Sequence, residues 1–247
     1  MNRLVAEHFA AIASQYRSVR TTDQEPVRHI AATLPDRRLS GLDVGAGTGS
    51  YTEQLKRHLA GRASILALDS SEPMLRILRQ HGFPGGGPAV CCEAERLPVK
   101  DRSADFVTTF NAVHHFDLDR FVDEAARVLT TDGHLFVYTR TPEQNAQSIW
   151  GQAFPGFASR ETRLFDTATL RRALSPLGTV DIRSFDFARS ETPATLAERV
   201  RSCAYSTFAL YELDELEVAL EEFLDSIPSR AVRWHDQNLL VHARRSG

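Results

Sequence analysis

Apolar residues follow two different periods along this chain. Short apolar runs bounded by turn residues predict strands, near residues 39–44, 64–69, 89–92, 104–110, 133–139, 180–187 and 238–244. Apolar positions at helical spacing predict helices, near residues 4–16, 52–59, 72–81, 118–129, 194–211 and 215–226. Strands that alternate with helices are typical of a parallel sheet covered on both faces, so we expect an α/β fold.

Other stretches depart from these two periods. Residues 82–88 contain too many glycines and prolines for either element and are predicted to form a loop. Residues 149–157 are aromatic and turn-rich, and they precede a helix that Asp166 should cap. Asp214 and Glu217 have the spacing of a capping box at the start of the last helix.

A glycine loop follows the first predicted strand, where residues 42–49 read Leu-Asp-Val-Gly-Ala-Gly-Thr-Gly. Gly45, Gly47 and Gly49 remove side chains where the backbone must turn sharply and admit a ligand. Asp69 ends the second predicted strand about twenty residues later, where a carboxylate can bind both hydroxyls of a ribose. Together, the loop and the acid predict a nucleoside site.

The glycine spacing bears on which nucleoside binds. A dinucleotide fold favours G-x-G-x-x-G, whereas this loop reads G-x-G-x-G. Asp43 lies in the strand just before the loop, where it would repel a pyrophosphate and attract a ligand ammonium. A cationic ligand with a ribose and no phosphate fits better. For Asp43, a purely structural role in capping the helix or bracing the loop stays open.

Four segments, in order, resemble class I S-adenosylmethionine-dependent methyltransferases. The glycine loop resembles the first motif, residues 67–75 the second, residues 92–98 the third, and residues 105–116 the fourth strand with its following turn. The small-molecule enzymes related to ubiquinone and menaquinone biosynthesis are similar in style. The resemblance implies a Rossmann-like, seven-stranded, mostly parallel sheet with helices on both faces. N-terminal helices and helical or loop insertions would cover the site, and S-adenosylmethionine would be the cofactor.

The resemblance also implies roles for residues at the strand ends. Asp43 would lie near the methionine ammonium and Asp69 would bind the ribose. Glu93 would meet the adenine amino group, where family members usually carry Asp, and Arg96 would flank the adenine. The cofactor-binding residues expected are Tyr16, Asp43, Gly45, Ala46, Gly47, Gly49, Asp69, Ser70, Met74, Glu93, Ala94, Arg96 and Asn111.

His114 and His115 follow the fourth predicted strand and are the candidate catalytic residues. Imidazole suits proton removal near neutral pH, and some sugar and natural-product methyltransferases use a similar histidine pair. For each histidine, bracing of the turn is the alternative. Arg140, Trp150 and Tyr205 are candidates for binding the acceptor, although a surface ion pair would also explain Arg140 and core packing would explain Trp150.

Composition limits the partners. The chain has 247 residues, a net charge of -3 and a pI of about 6.3, so it lacks the basic field that nucleic acid or an anionic membrane attracts. We therefore expect a small-molecule acceptor, and we also expect a monomer or homodimer. The N-terminal residues lack the unbroken apolar core of a signal peptide, and no apolar run approaches the length needed to span a bilayer, so we expect the cytoplasm as its location. Three cysteines form neither a disulfide framework nor a metal motif. Asp117, Asp119 and Asp132 lack a recognisable ligand arrangement, so we expect no metal.

We expect one methyltransferase domain over residues 1–247. Residues 1–36, which include Tyr16, would form a helical lid, and residues 37–140 the cofactor-binding core. Residues 141–165 and 188–230 would cover the substrate. The expected reaction moves a methyl group from S-adenosylmethionine to oxygen, nitrogen or carbon of a metabolite, with a histidine as the base. The alternatives are a Rossmann-type NAD(P)-dependent oxidoreductase and a catalytically silent nucleoside-binding module.

Overall fold

The computed structural model of the protein describes residues 21–81 and 88–246. The helix predicted at residues 4–16, with Tyr16, and nearly all of the loop predicted at residues 82–88 lie outside the described residues.

Seven strands form one sheet in the order β3-β2-β1-β4-β5-β7-β6. Every neighbouring pair is parallel except those of β7, which runs antiparallel to β5 and β6. The mostly parallel Rossmann-like sheet is thereby confirmed. The strands are β1 (Leu39–Val44), β2 (Ala63–Asp69), β3 (Ala89–Cys91), β4 (Ala104–Phe110), β5 (Leu129–Thr139), β6 (Gly178–Glu191) and β7 (Val232–Arg245).

Helices cover both faces of the sheet because each buries an apolar stripe against it. On one face Val27 and Leu55 pack with strand residues, and on the other Phe121 and Leu170 do so. The helices are α1 (Gln24–Thr33), α2 (Ser50–His58), α3 (Glu72–Gln80), α4 (Leu118–Val128), α5 (Pro142–Gln147), α6 (Ile149–Ala153), α7 (Phe157–Arg160), α8 (Thr167–Leu174), α9 (Pro193–Arg201) and α10 (Leu213–Ser226). Single 3-10 turns occupy Val113–His115, Ser175–Leu177 and Phe208–Leu210.

A separate aromatic cluster joins α6, α7, α9 and α10 above the sheet, with Trp150 at its centre. The expectation that residues 149–157 are mainly turns is wrong, because α6 and part of α7 lie there. Ser148 ends α5 and caps α6, since its side chain accepts a hydrogen bond from the Gly151 N–H at 3.2 Å. Side-chain packing around Trp150 and this shared cap together hold the short helices in place.

Two helix starts were predicted from caps, with opposite outcomes. Asp166 caps α8 as expected, accepting from the Thr169 N–H at 2.6 Å. The capping box of Asp214 and Glu217 is wrong, because α10 begins at Leu213, two residues earlier than predicted, and Glu212 occupies its N-cap position without a side-chain bond. Asp214 therefore lies in the first turn, where an acid still complements the helix dipole.

Strands β6 and β7 are longer than predicted, and their excess length matters for the site. β5 pairs with residues 239–244 of β7, whereas residues 232–238 pair only with residues 185–191 of β6. These two segments, which we call the β6–β7 extension, project past the carboxyl end of β5. Polar side chains of the extension are thereby placed beside the ends of the parallel strands.

Candidate active site

Two adjoining cavities lie at the carboxyl ends of the strands, where open α/β sheets bind ligands. The glycine-loop cavity encloses about 650 Å³, partly open to solvent, between the ends of β1, β2 and β4. It brings together eight of the predicted cofactor-binding residues, namely Gly45, Gly47, Asp69, Ser70, Met74, Glu93, Ala94 and Asn111.

The loop glycines all adopt positive φ angles, +72° at Gly45, +55° at Gly47 and +81° at Gly49. A Cβ added to Gly45 would lie 2.5 Å from the Cβ of Ala112, so this glycine permits close packing of the β1 and β4 turns. A Cβ on Gly47 would meet nothing within 4 Å. Gly47 is therefore required by the turn itself and leaves the space beside it available to a ligand.

Asp69 is oriented by backbone amides at the end of β2. Its Oδ2 accepts from the Gly47 N–H at 2.7 Å, and its Oδ1 accepts from the Ser71 N–H at 2.8 Å. Burial raises the pKa of the Asp69 carboxyl, and the charge of Glu93 adds to the rise, while the two amide hydrogen bonds oppose it. Each carboxylate oxygen keeps capacity for one further donor, as a ribose diol would require.

Asp43 is buried and does not line either cavity. Its carboxylate accepts hydrogen bonds from the hydroxyls of Thr52 in α2 and Thr108 in β4, the latter at 3.0 Å. Burial raises the pKa of Asp43 to about 7, although the two hydroxyls oppose the shift. The geometry matches the bracing role that the sequence left open, and contact with a ligand ammonium stays a prediction.

Three other predicted cofactor-binding residues lie outside the cavity wall. Ala46 packs against the small apolar cluster of β2 and α3, and Gly49 occupies the N-cap position of α2. Arg96 lies along an open groove beside Lys100. The first two support the loop from behind, which the sequence pattern could not distinguish from direct contact.

The second cavity, which we call the polar cavity, encloses about 740 Å³, partly open to solvent. It lies between the ends of β4 and β5, the β6–β7 extension and the segment around Tyr205. The two cavities share Asn111 and His115, and His114 lines the polar cavity beside them. The rings of His114 and His115 are 4.0 Å apart between centroids. Both candidate bases therefore lie at or beside the junction of the cavities.

Two of the three predicted acceptor-binding residues line the polar cavity. The Arg140 guanidinium carbon lies 5.9 Å from the centroid of the Tyr205 ring, and both residues form part of the wall. Trp150 does not reach the wall, because it is 1% exposed within the aromatic cluster, with its ring centroid 6.0 Å from that of Tyr205. Trp150 is therefore a core residue, as in the alternative explanation of core packing.

The sequence analysis missed six charged or amide residues of this wall, namely Asp23, Asn145, Glu161, Arg189, Asp236 and Asn238. Asp23 accepts from Arg189 Nη2 at 2.5 Å and from the Tyr138 hydroxyl at 2.7 Å. Arg189 Nε also donates to Asp236 Oδ2 at 3.4 Å, and Asn238 follows two residues later in β7. Asp236 and Asn238 are both buried at alternating positions of one strand. That buried polar alternation was the available signal.

Metal ligation finds no support among the residues described. They contain no group of three or more His, Cys, Asp or Glu side chains that could hold a metal ion. Asp117 caps α4, and Asp132 forms an exposed ion pair with Arg244. In the same part of the chain, no helix combines the length and the apolar character needed to cross a bilayer.

Comparison with known proteins bears on the family. A family model described as a methyltransferase domain matches residues 42–137. An uncharacterized methyltransferase from Mycobacterium bovis is 31% identical over 182 residues, covering 73% of this chain and 70% of the relative. The chain belongs to the class I S-adenosylmethionine-dependent methyltransferases. Members of this methyltransferase family take their methyl group from S-adenosylmethionine.

Solved structures agree on the fold of this methyltransferase. A proposed methyltransferase of an antibiotic biosynthesis pathway in Anabaena variabilis has a TM-score of 0.71 at 20% identity, covering 91% of this chain and 98% of that one. A second, from Bacillus halodurans, has a TM-score of 0.64 at 22% identity, covering 92% and 100%. At these identities the likeness shows the fold alone.

Some curated relatives match only in part. The malonyl-[acyl-carrier protein] O-methyltransferase of Methylococcus capsulatus is 37% identical over 143 residues, which are 54% of this chain and 50% of the relative. The matched region spans only 27% of the bifunctional biotin biosynthesis protein BioHC of Cellvibrio japonicus, at 33% identity over 143 residues, and covers 56% of this chain.

Proposed function

We propose that the protein transfers a methyl group from S-adenosylmethionine in the glycine-loop cavity to oxygen, nitrogen or carbon of a small molecule in the polar cavity. The observation that carries this proposal is the wall that the two cavities share at Asn111 and His115. A donor and an acceptor bound on its two sides would adjoin, as in-line displacement requires.

The residues of the glycine-loop cavity fit the donor. Asp69 would accept hydrogen bonds from the ribose hydroxyls, with its carboxylate already oriented by two backbone amides. Gly47 would admit the ligand to the loop backbone, and Glu93 would meet the adenine amino group. When bound, S-adenosylmethionine supplies a methyl group on a sulfonium, which needs little further activation. Binding and alignment are therefore the main work of these residues.

On the acceptor side, His114 or His115 would remove a proton, and Arg140 and Tyr205 would hold the acceptor. Residues 141–165 and 188–230 would cover it within one domain. Nucleic acid is not proposed as an acceptor, because the chain carries a net charge of -3. An NAD(P)-dependent oxidoreductase and a silent nucleoside-binding module are the competing hypotheses.

Calorimetry and product analysis test the proposal. S-adenosylhomocysteine should bind saturably while NADH should not, and incubation of S-adenosylmethionine with a metabolite library should give a methylated product detectable by mass spectrometry. Preferential binding of NADH would contradict the donor assignment. Donor binding without any methyl transfer across the library would favour the silent module.

His114→Ala tests the base separately. General-base help is worth about 10² to 10⁴ in rate, so turnover of an acceptor that loses a proton should fall by that order. Donor affinity should stay within a few-fold. The turnover of the wild-type enzyme should rise with pH as the histidine base loses its proton, and this rise should be absent in the variant. His115→Ala is the paired comparison. Near-normal turnover in His114→Ala would leave that residue with a bracing role.

A further inference from the structure

One pair of charges in the polar cavity is incompletely satisfied. Asp236 is 4% exposed, and its Oδ2 receives only the 3.4 Å hydrogen bond from Arg189. Its Oδ1 is buried and receives no hydrogen bond from the described residues. That oxygen lies 4.0 Å from Nη2 of Arg140, which is beyond hydrogen-bond distance. A buried carboxylate oxygen left in this way is costly unless a donor reaches it.

The other member of the pair, Arg140, also has hydrogen-bonding capacity that the described residues do not fill. The Arg140 side chain is 14% exposed, and its Nε donates to Asn238 Oδ1 at 3.3 Å. Neither Nη atom makes a hydrogen bond with any part of the chain that the structure describes. A guanidinium presents its donors as a planar fork that matches a carboxylate, so Arg140 retains the capacity to bind one.

Neighbouring charges on the same wall are satisfied. Both oxygens of Asp23 are bonded, by Arg189 and Tyr138. Glu161 is bonded by Arg163 and by the Thr207 hydroxyl, the latter at 2.7 Å. Of these three carboxylates, Asp236 alone has an oxygen that receives no hydrogen bond from the described residues.

Charge balance restricts the ligand further. On the wall, Arg140 and Arg189 balance Asp23 and Asp236. The charge of Glu161, which also lines the cavity, is balanced by its ion pair with Arg163. A ligand carrying only one sign of charge would therefore leave an excess. Among the lining residues described, only Leu164 and Ala204 are aliphatic. An apolar acceptor would leave the buried polar groups of this wall unpaired, at a cost for each one.

We propose that the polar cavity binds a zwitterion, an amino carboxylate whose carboxylate is held by Arg140 and whose ammonium is held by Asp236. The two groups lie close together, which favours ligands with the amino and carboxylate groups on the same or neighbouring carbons. The inference rests on the proposed function, since it names the acceptor class of that same site. It adds Asp236 as a binding residue.

The first test is calorimetry with S-adenosylhomocysteine present at saturation. The probes are the protein amino acids and β-alanine, followed by the amide and the N-acetyl derivative of the tightest binder. Loss of one charge-assisted contact should weaken binding about tenfold or more for either derivative. Equal binding of the amide or the N-acetyl compound, or no binding by any zwitterion, would overturn the proposal.

Two variants separate the charges. Arg140→Gln should abolish the preference for the amino acid over its amide, and Asp236→Asn should abolish the preference over its N-acetyl derivative. Arg201→Gln and Asp132→Asn make the same chemical changes in exposed ion pairs and should change neither preference. A preference that survives in the cavity variants would overturn the assignment.

S-adenosylhomocysteine binding distinguishes the two levels of the proposal. If every variant binds it and no zwitterion binds the parent protein, the zwitterion assignment fails and the donor assignment stands. If the parent protein does not bind S-adenosylhomocysteine, the proposed function itself fails. Thermal melting of each variant verifies that the fold is retained.

Discussion

At Gly47 the absence of a side chain serves both the backbone and the ligand. The φ of +55° is unfavourable for an L-residue, and a Cβ there would project into space beside the glycine-loop cavity. Gly61, in the turn after α2, has a φ of +78° and equally open surroundings, but it lies away from both cavities. Substitutions at both glycines strain the backbone, but only a side chain at position 47 would also exclude a ligand.

Gly47→Val should abolish S-adenosylhomocysteine binding, because the new side chain occupies the ligand's approach. Gly61→Val should bind normally, while both variants lose a similar stability of about 1–2 kcal/mol from the unfavourable φ. Calorimetry measures binding and urea unfolding measures stability. Normal binding by Gly47→Val would show that the glycine loop only connects β1 to α2 and does not contact the ligand.

Asp43 gives a second residue-scale prediction, through its pKa of about 7. A carboxyl whose pKa is raised on folding, from 3.8, stabilises the fold at low pH and loses that contribution as the pH rises to about 7. Asp43→Asn stays neutral, and the hydroxyls of Thr52 and Thr108 can rotate to accept from its amide. The free energy of unfolding of the wild type should therefore fall relative to the variant between about pH 4 and 7.

Urea unfolding at several pH values measures this difference. Asp132→Asn, in an exposed ion pair, is the control and should follow the wild type. A constant difference between wild type and Asp43→Asn across that interval would show that Asp43 does not titrate there.

At the scale of elements, β5 and β7 are joined by a pair of neutral histidines. His134 Nδ1 and His242 Nε2 are 2.9 Å apart, and the His242 ring stacks on Phe136 at 4.5 Å. Burial lowers the pKa of both residues, that of His242 to about 4, and the positive charge of a protonated His134 also disfavours protonation of His242. Two protonated rings in this contact would repel each other.

The free energy of unfolding should consequently fall as the pH drops from about 6.5 towards 4, because these histidines bind protons in the unfolded chain and remain neutral in the folded protein. His242→Gln should reduce the acid-dependent loss of unfolding free energy, whereas His58→Gln, at an exposed position in α2, should leave it unchanged. Urea titrations between pH 4 and 7 measure both. Identical acid slopes in wild type and His242→Gln would contradict the prediction.

The elements also show why the sequence predicted one half of the site better than the other. The glycine loop and Asp69 are close in sequence, and their strand and helix patterns are local, so the arrangement around them could be predicted. The wall of the polar cavity depends on contacts such as Arg189 with Asp23, which are 166 residues apart. No local period determines how far β6 and β7 pair beyond β5, and Arg189, Asp236 and Asn238 were missed for that reason.

At the scale of the whole molecule, the two cavities draw on different parts of the chain. The glycine-loop cavity is formed by residues 44–116, while the polar cavity also takes residues from the covering segments and the β6–β7 extension. Donor and acceptor binding should therefore leave different patterns of backbone protection, with overlap only at the shared wall.

Hydrogen exchange with mass spectrometry can detect that division. S-adenosylhomocysteine should slow exchange in peptides covering residues 44–49, 69–75 and 92–96, because ligand contact suppresses local opening there. It should leave residues 232–238 nearly unchanged until an amino carboxylate is added. Protection of residues 232–238 by S-adenosylhomocysteine alone would contradict this separation.

The length of the β6–β7 extension determines how far the wall of the polar cavity reaches, and this length can change independently of the rest of the site. Its two strands pair only with each other past β5, so a change in their length leaves the glycine loop untouched. Because side chains alternate between faces, adding two residues to each strand keeps Asp236 facing inward, whereas adding one reverses every later side chain. An insertion of two residues in each strand is therefore the smallest change that extends the wall of the polar cavity and keeps the same side chains facing inward. The glycine-loop cavity stays unchanged.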